Sequence, residues 1–512
     1  MSRTRRFIGG VGFGYVNQFL VTLAGLWLTP FLLARTGQHD YGLWLVGTQL
    51  LAYLMLMDFG VVALLPRETA FVAGRLGRTV GVSRELSAHV GETARLVLWQ
   101  TPFVALAALL FWLLMPAEWQ ALRWPLACVL LAFVVTFPLR VFQAVLQGLQ
   151  DLEFLAKTQT LTWLLSTALT VVLVYANCGL YALALGWVAA QLLAVPVALL
   201  RMRRRFPEAL PARLPALPWE SARGKLGRGF WVSLNQVATV LLVGTDVLVV
   251  GRFLGPAAVV PYACTGKLIA VLANQPQMLM QAAIPALSEM RAGARREHLS
   301  SVCVALSQAM LLVSGAVVCV TLAANQGFVN WWVGAGQYGG FTLTALLLVS
   351  LLLRHWNLTV GYILFAFGHE RRLAITALID GVVTVGAGIM LTRWLGLVGA
   401  PLASIIGVCL VSLPGNVSAL AGANATPVKG LMRALAPWFW RFCLLALAAG
   451  TFARYFTPDN FTALAATASL TAGLYLLVML PVVWRDPLGA YIRPRVMPLA
   501  VRVFRLRPRS AT

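Results

Sequence analysis

Charged side chains, and acidic ones above all, are scarce in this sequence. Only 11% of its 512 residues are charged, and 17 Asp and Glu stand against 40 Lys and Arg. A soluble globular domain carries about 25% charged residues, so this composition is not that of a soluble enzyme. Hydrophobic residues make up 60% of the chain, and no polar stretch is long enough for a separate soluble domain. These features predict a protein that lies almost entirely within a membrane.

Motifs for metal, nucleotide and disulfide chemistry are also missing. The seven cysteines show no CxxC spacing, which argues against a zinc site and against a disulfide framework. The chain has no Walker motif, so ATP hydrolysis by this chain is not expected. We predict no cofactor, no metal site and no catalytic residue.

Long apolar runs predict an all-α polytopic membrane protein with about fourteen transmembrane helices, since about 20 apolar residues cross a bilayer. The first run is too long for a signal peptide and is expected to remain as a helix. The predicted spans are 7–33, 41–65, 93–115, 125–147, 158–176, 179–200, 229–250, 261–287, 300–324, 341–368, 374–392, 399–421, 438–456 and 461–484.

The basic residues collect on one predicted side of the membrane. That side carries the N-terminal arginines, the clusters at 201–205 and 295–296, and the C-terminal tail. The other side receives only Arg35, Arg123, Arg252, Arg393 and Arg454. The positive-inside rule then predicts that both termini are cytoplasmic and that the number of spans is even. Topology and anionic lipid headgroups explain the net charge of +23 better than a nucleic-acid partner does.

The chain contains an internal repeat. A glycine-phenylalanine pair, an amide pair, an arginine and a tyrosine recur in the same order, as Gly12-Phe13, Asn17-Gln18, Arg35 and Tyr41, then as Gly229-Phe230, Asn235-Gln236, Arg252 and Tyr262. We therefore predict two six-helix lobes in parallel pseudo-repeat. The predicted divisions are an N-terminal lobe (1–200), a basic cytoplasmic linker (201–228), a C-terminal lobe (229–421), an additional helix pair (422–484) and a basic cytoplasmic tail (485–512).

Ionisable residues within predicted spans are costly and usually face a partner or a cavity. Arg354 lies near the middle of its span, roughly 20 Å from the helix start, and we expect it to face a functional cavity rather than to tie two helices together. Arg140 and Lys267 could line a cavity or extend toward a membrane surface. Three acids, Asp58, Asp246 and Asp380, could couple an ion, pair with an arginine or cap a helix.

Amide side chains are concentrated in predicted spans 1, 4, 7 and 8, which suggests a hydrated interior between the lobes. Together with the cations they form the predicted substrate-binding set: Arg354, Arg140, Lys267, His355, Asn17, Gln18, Asn235, Gln236 and Asn274.

Two stretches resemble bacterial polysaccharide flippases. In Tyr41 to Ala70 the similarity lies in Asp58-Phe59-Gly60 and the following Arg67. In Thr245 to Leu268 it lies in Asp246, Gly255, Tyr262 and Lys267. The resemblance implies the multidrug/oligosaccharidyl-lipid/polysaccharide exporter fold with a central cavity. It also implies transport of an undecaprenyl-pyrophosphate-linked oligosaccharide from the cytoplasmic to the periplasmic leaflet of the bacterial inner membrane. Membrane lipids, and other polysaccharide assembly proteins, are the implied partners.

Other functions remain open at this point. A lipid-linked murein precursor flippase and a multidrug exporter belong to the same superfamily, although the extra helix pair favours the lipid-linked branch. A membrane-embedded glycosyltransferase or polymerase of the same pathway is the alternative from another class. Such an enzyme needs positioned carboxylates, and the predicted outer face offers only Asp40, Glu118 and Asp459 on separate short loops, with Asp246 nearby.

Overall fold

A computed structural model shows a chain made of helices, with no strand among the residues it describes. It describes the backbone of residues 3–75, 80–293, 296–424 and 428–494, and most side chains of these ranges from residue 19 onward. The all-α prediction is confirmed for these residues.

The first nine helices are α1 (Arg3–Met55), α2 (Val61–Arg75), α3 (Val80–Leu113), α4 (Gln120–Thr136), α5 (Arg140–Gly148), α6 (Leu152–Tyr175), α7 (Leu180–Arg205), α8 (Trp219–Val243) and α9 (Thr245–Phe253). The remaining helices are α10 (Pro256–Gly293), α11 (Arg296–Val333), α12 (Phe341–Ala366), α13 (Glu370–Leu395), α14 (Gly399–Gly407), α15 (Leu413–Asn424), α16 (Val428–Tyr455) and α17 (Phe461–Val483).

Within the described residues, twelve stretches are long and apolar enough to cross a membrane. Two of them, Phe19–Asp58 with 40 residues and Glu370–Gly422 with 53, are long enough to cross twice, and each is broken near its middle. Gly37 interrupts α1 with a φ of 81°, and a 3₁₀ turn at Gly396–Val398 separates α13 from α14. Divided at these breaks, the stretches give fourteen segments, and each overlaps one predicted span.

Several predicted spans are interrupted by residues that stop a helix. Pro138 lies in a 3₁₀ turn between α4 and α5, so that Arg140 begins a new helix. Predicted span 2 ends early because Phe59 and Gly60 both adopt positive φ after Asp58. Predicted span 7 is split at Gly244, and its helix begins at Trp219, so residues 219–228 of the predicted linker are helical.

The chain divides into two compact units, Met1–Val260 and Pro261–Thr512. In the first unit α7 packs against α4, α5 and α6, while α2 packs against α3, α5 and α8. In the second unit α11 is the central helix and packs against α12, α16 and α17. The predicted boundaries of the two lobes remain a prediction.

Candidate functional site

A large cavity lies within the first unit. Its volume is about 1290 Å³, which exceeds the roughly 300–1,000 Å³ of a typical small-molecule pocket. Its walls come from the end of α1 and from α2, α5, α6, α7 and α8. A space of this size can admit a group larger than one metabolite.

The helices α6 and α7 form one wall as a hairpin. The turn between them uses Asn177 and Gly179 at positive φ, a conformation that these two residue types tolerate well. Farther along, a Cβ on Gly186 would clash with the side chain of Thr170, so a glycine is needed for the close approach of the helices. The hairpin geometry therefore fixes which side chains of α6 and α7 face the cavity.

The lining of the cavity is rich in uncharged polar groups. It contains five glutamines, four hydroxyl residues and two tryptophans: Gln143, Gln147, Gln159, Gln191 and Gln236, then Thr158, Thr162, Ser166 and Thr239, then Trp163 and Trp187. Glutamine both donates and accepts hydrogen bonds. Such a lining suits a ligand that carries many hydroxyl groups.

Three charged residues line the cavity: Arg67, Arg140 and Asp58. Asp58 is 3% exposed, and its Oδ1 accepts a hydrogen bond of 2.9 Å from the backbone N–H of Gly60. Arg140 is half-buried and attracts Asp58 electrostatically. Arg67 is exposed. Asp58 therefore caps the turn that precedes α2, and its other predicted roles stay predictions.

The charged residues lie at two levels of the cavity. Gly148, at the end of α5, packs against Pro66 and Thr69 of α2, while Arg140, at the start of α5, interacts with Asp58 just before α2. The helices α2 and α5 therefore run side by side in the same direction. With a rise of 1.5 Å per residue, the Asp58–Arg140 end lies about 12 Å from the Arg67 end.

More positive charge lies close to the Arg67 end. Asp151, just before α6, forms ion pairs with Arg201 Nε at 2.9 Å and with Arg205 at 3.4 Å. The Arg201 guanidinium also lies 4.6 Å from the ring centre of Phe154, which lines the cavity. One carboxylate between two arginines leaves a net positive charge at this end.

Arg354 lies in the second unit, where it pairs with Asp380 through both terminal nitrogens, at 2.7 and 3.2 Å. Its Nε donates to Ser404 Oγ at 3.0 Å, and Nη2 also donates to the carbonyl oxygen of Ser404 at 3.0 Å. Asp380 is fully buried and accepts further hydrogen bonds from Thr384 and Ser412. Arg354 thus pairs with one of the three acids that were considered as arginine partners from the sequence.

His355 follows Arg354 in the sequence but contacts a different helix. It is 2% exposed, and its Nδ1 lies 2.7 Å from Ser314 Oγ of α11. This pair joins α11 and α12 within the second unit. Burial on this scale gives His355 no access to a large ligand in this conformation.

The remaining predicted residues lie in several places. Gln236 lines the cavity, whereas Asn235 beside it is exposed on α8. On α10, Lys267 is half-buried and Asn274 is exposed, and Asp246 lies in the first turn of α9. The side chains of Asn17 and Gln18 lie outside the described residues. Substrate binding or ion coupling by these residues stays a prediction.

The cavity residues that were not predicted from the sequence include two glutamines and two tryptophans: Gln159, Gln191, Trp163 and Trp187. Tryptophans of membrane helices usually lie at the membrane surface. A tryptophan and a glutamine within one apolar span, as in both α6 and α7, was therefore a usable signal of a hydrated cavity.

A protein-family model described as "Polysaccharide biosynthesis protein" matches residues 53–326, more than half of the chain. The matched region contains all the lining of the cavity except Ala52. No curated protein sequence matches this chain.

Solved structures of similar fold are membrane transporters. One is the Lipid II flippase MurJ in an inward closed conformation, which shares 13% sequence identity with this chain and superposes with a TM-score of 0.67. The alignment covers 93% of this chain and 100% of the MurJ chain. An inward-facing multidrug resistance MATE family transporter of the MOP superfamily is 16% identical over 79% of this chain and 99% of its own, with a TM-score of 0.54. An outward-facing one is 16% identical over 80% of this chain and 94% of its own, with a TM-score of 0.51. At these identities the similarity shows a shared fold.

Proposed function

The chain belongs to the polysaccharide biosynthesis protein family, and from this premise we propose that it moves an undecaprenyl-pyrophosphate-linked oligosaccharide from the cytoplasmic to the periplasmic leaflet of a bacterial inner membrane. Its fold is that of a transporter of the MOP superfamily. The proposed mechanism is alternating access, in which the headgroup is bound while the lipid tail stays in the bilayer.

The cavity of the first unit is the observation that carries this proposal. It has the size for an oligosaccharide, glutamines that can bind hydroxyl groups, and arginines that can bind a phosphate. Arginine binds phosphate oxygens with two parallel hydrogen bonds, which makes it a strong partner for a pyrophosphate. The similar fold of a protein named a lipid II flippase supports a lipid-linked substrate.

We assign the headgroup to this cavity rather than to Arg354. The guanidinium of Arg354 already donates to Asp380, Ser404 and Thr384. A phosphate would have to displace a buried carboxylate, and this would leave Asp380 unpaired at a high energetic cost. We therefore propose that Arg354 and Asp380 hold α12, α13 and α14 together.

A glycosyltransferase or polymerase is less well supported by the same cavity. Asp58 is the single carboxylate among its described lining residues, and it is buried and bound to the backbone N–H of Gly60. Glycosyl transfer needs a carboxylate or a metal placed at the reacting sugar. The charge pattern of the cavity supports binding of a phosphate.

Depletion of the protein in its native host tests the proposed function. We expect lipid-linked oligosaccharide to accumulate in the cytoplasmic leaflet, where a membrane-impermeant glycosidase added outside spheroplasts cannot cleave it. Accumulation of a lipid-linked murein precursor instead would assign the protein to that alternative substrate. Purified protein that lengthens or transfers a glycan with no other enzyme present would refute the transporter proposal.

A further inference from the structure

We propose that the Asp58–Arg140 end of the cavity binds an uncharged sugar ring through Trp163 and Trp187, with the pyrophosphate held near Arg67. This inference rests on the proposed function, because it divides the headgroup of that substrate between the two ends of one cavity. It adds the chemical class of the sugar and the residues that select it.

The two tryptophans provide the surface on which a sugar ring can pack. Both line the cavity, and both are half-buried within the apolar helices α6 and α7. The short connection after Gly148 turns the chain back, so that α6 packs against α5 and leads away from the Arg67 end. Trp163 is eleven residues along α6 from Leu152, about 16 Å from that end, and so lies toward the Asp58–Arg140 end. An indole presents a flat apolar face and one N–H donor. The C–H face of a sugar ring can pack on the apolar face of the indole, and a ring hydroxyl can accept a hydrogen bond from the indole N–H.

The hairpin sets the spacing of the two indoles. Gly186 approaches Ser166 and Thr170, so Trp187, the next residue on α7, lies level with that turn of α6. Trp163 lies three residues before Ser166, which is about 5 Å along the helix axis. The two indoles therefore stand at adjacent levels and can contact one ring or two consecutive rings.

Polar side chains near the indoles match the edge of a sugar. Gln159 is four residues before Trp163, and Gln191 is four residues after Trp187, so each amide lies on the same helix face as its tryptophan. The hydroxyls of Thr162 and Ser166 donate to carbonyl oxygens of their own helix at 2.9 and 3.0 Å, which leaves their lone pairs to accept. Amides and hydroxyls of this kind recognise uncharged hydroxyl groups.

The charges separate the two ends by chemistry. One arginine and one aspartate, Arg140 and Asp58, line this end, so their formal charges cancel. At the other end Arg67 lines the cavity, with Arg201 and Arg205 nearby. An anion is therefore favoured near Arg67, whereas an acidic sugar beside Asp58 would meet an unfavourable carboxylate.

Three synthetic probes test the proposal: farnesyl pyrophosphate, its glucose conjugate and its glucuronic acid conjugate. The two conjugates differ only in the charge at C6 of the sugar. We measure the dissociation constant of each probe for the purified, full-length protein by isothermal titration calorimetry. The glucose conjugate is expected to bind about tenfold more tightly than farnesyl pyrophosphate, and more tightly than the glucuronic acid conjugate.

Tryptophan variants localise the effect. Trp163→Ala and Trp187→Ala should abolish the tenfold gain from glucose while leaving the affinity for farnesyl pyrophosphate unchanged. Trp394, which is 72% exposed in the second unit, provides the matched control Trp394→Ala. Trp163→Phe and Trp187→Phe, which keep a ring, should retain part of the gain, and melting temperatures confirm that each variant is folded.

The outcomes distinguish the inference from the function on which it rests. Equal binding of all three probes, or tighter binding of the glucuronic acid conjugate, would overturn the inference and leave the proposed function standing. A gain from glucose that survives both alanine substitutions would also overturn it. Failure of every probe to bind wild-type protein would refute the proposed function together with the inference.

Discussion

At the scale of single residues, the most consequential pair is Arg354 and Asp380 in the second unit. The two side chains meet at 2.7 Å, and Asp380 is fully buried. A buried ion pair often contributes little net stability, because both charges lose their hydration. Removal of one partner is different, since the other charge is then left unpaired in an apolar environment.

Arg354→Met is therefore expected to destabilise the protein by about 3–5 kcal/mol, since it leaves Asp380 without its partner. The double variant Arg354→Met/Asp380→Leu should recover most of that stability and transport activity. Melting temperature and transport per folded molecule are the measurements. Normal folding of the double variant with complete loss of transport would instead assign substrate binding to Arg354, as the sequence predicted.

Individual residues also show what sequence could predict. The depth of Arg354 within its apolar span marked it as a special position, and the possible aspartate partner was foreseen. Whether Arg354 faces a cavity or pairs with Asp380 could not be predicted, because this depends on how α12, α13 and α14 pack. The concentration of amides in predicted span 4, which contains Gln143 and Gln147, was recognised from the sequence, whereas Trp163 and Trp187 were not singled out.

At the scale of helices, a cluster of charged side chains joins α2, α3 and α8. Glu68 of α2 lies 3.2 Å from His89 Nε2 and 3.3 Å from Arg228. On the other side of His89, the buried Lys225 lies 3.3 Å from Glu92 and 2.9 Å from Thr93 Oγ1. Lys225 and Arg228 belong to α8, so these ion pairs hold α8 against α2 and α3 within the first unit.

The Glu68 carboxylate gives this cluster a pH dependence. Its 3.2 Å contact with His89 Nε2, together with the charges of Arg228 and Lys225, lowers the pKa of Glu68 despite partial burial. A carboxylate with a lowered pKa in the folded state stabilises the protein above its ordinary pKa of about 4.3. That stabilisation is lost as the pH falls through the lowered pKa.

Glu68→Gln is accordingly expected to reduce stability at neutral pH by about 1 kcal/mol. The difference between wild type and variant should shrink as the pH falls below about 4. Thermal unfolding in detergent across this pH range provides the measurement. Glu85→Gln, at an exposed position four residues before His89 on α3, serves as the control. A stability difference that grows toward low pH would contradict this account.

Helix boundaries show a similar division between what sequence could and could not predict. All fourteen apolar runs became helical segments, because a run of this length has no other way to satisfy its backbone in a bilayer. The interruptions at Pro138, Gly244 and Gly60 were not predicted, although each involves a residue that commonly ends helices. Proline and glycine occur within many membrane helices, so sequence alone does not show which of them ends a helix.

At the scale of the whole molecule, the arginine distribution predicts the orientation in the membrane. α7 ends in Arg203, Arg204 and Arg205, and α13 begins with Arg371 and Arg372. In a variant whose seven native cysteines are replaced by serine, membrane-impermeant labelling of a single cysteine introduced near Gln38 or Gly336 should therefore occur from outside. A cysteine at Arg204 should react only after the membrane is opened. Labelling of the Arg204 position in intact cells would reverse the topology.

The central claim is that the cavity of the first unit carries a lipid-linked sugar phosphate across the membrane. The most direct test reconstitutes purified protein in liposomes containing a fluorescent undecaprenyl-pyrophosphate-linked glucose, and follows its transfer between leaflets by impermeant quenching. Wild-type protein should accelerate transfer, Arg67→Gln should lower the rate about tenfold through loss of a charged hydrogen bond, and the exposed control Arg252→Gln should transport normally. Transfer no faster than in protein-free liposomes, or an Arg67→Gln variant as fast as wild type, would contradict the account.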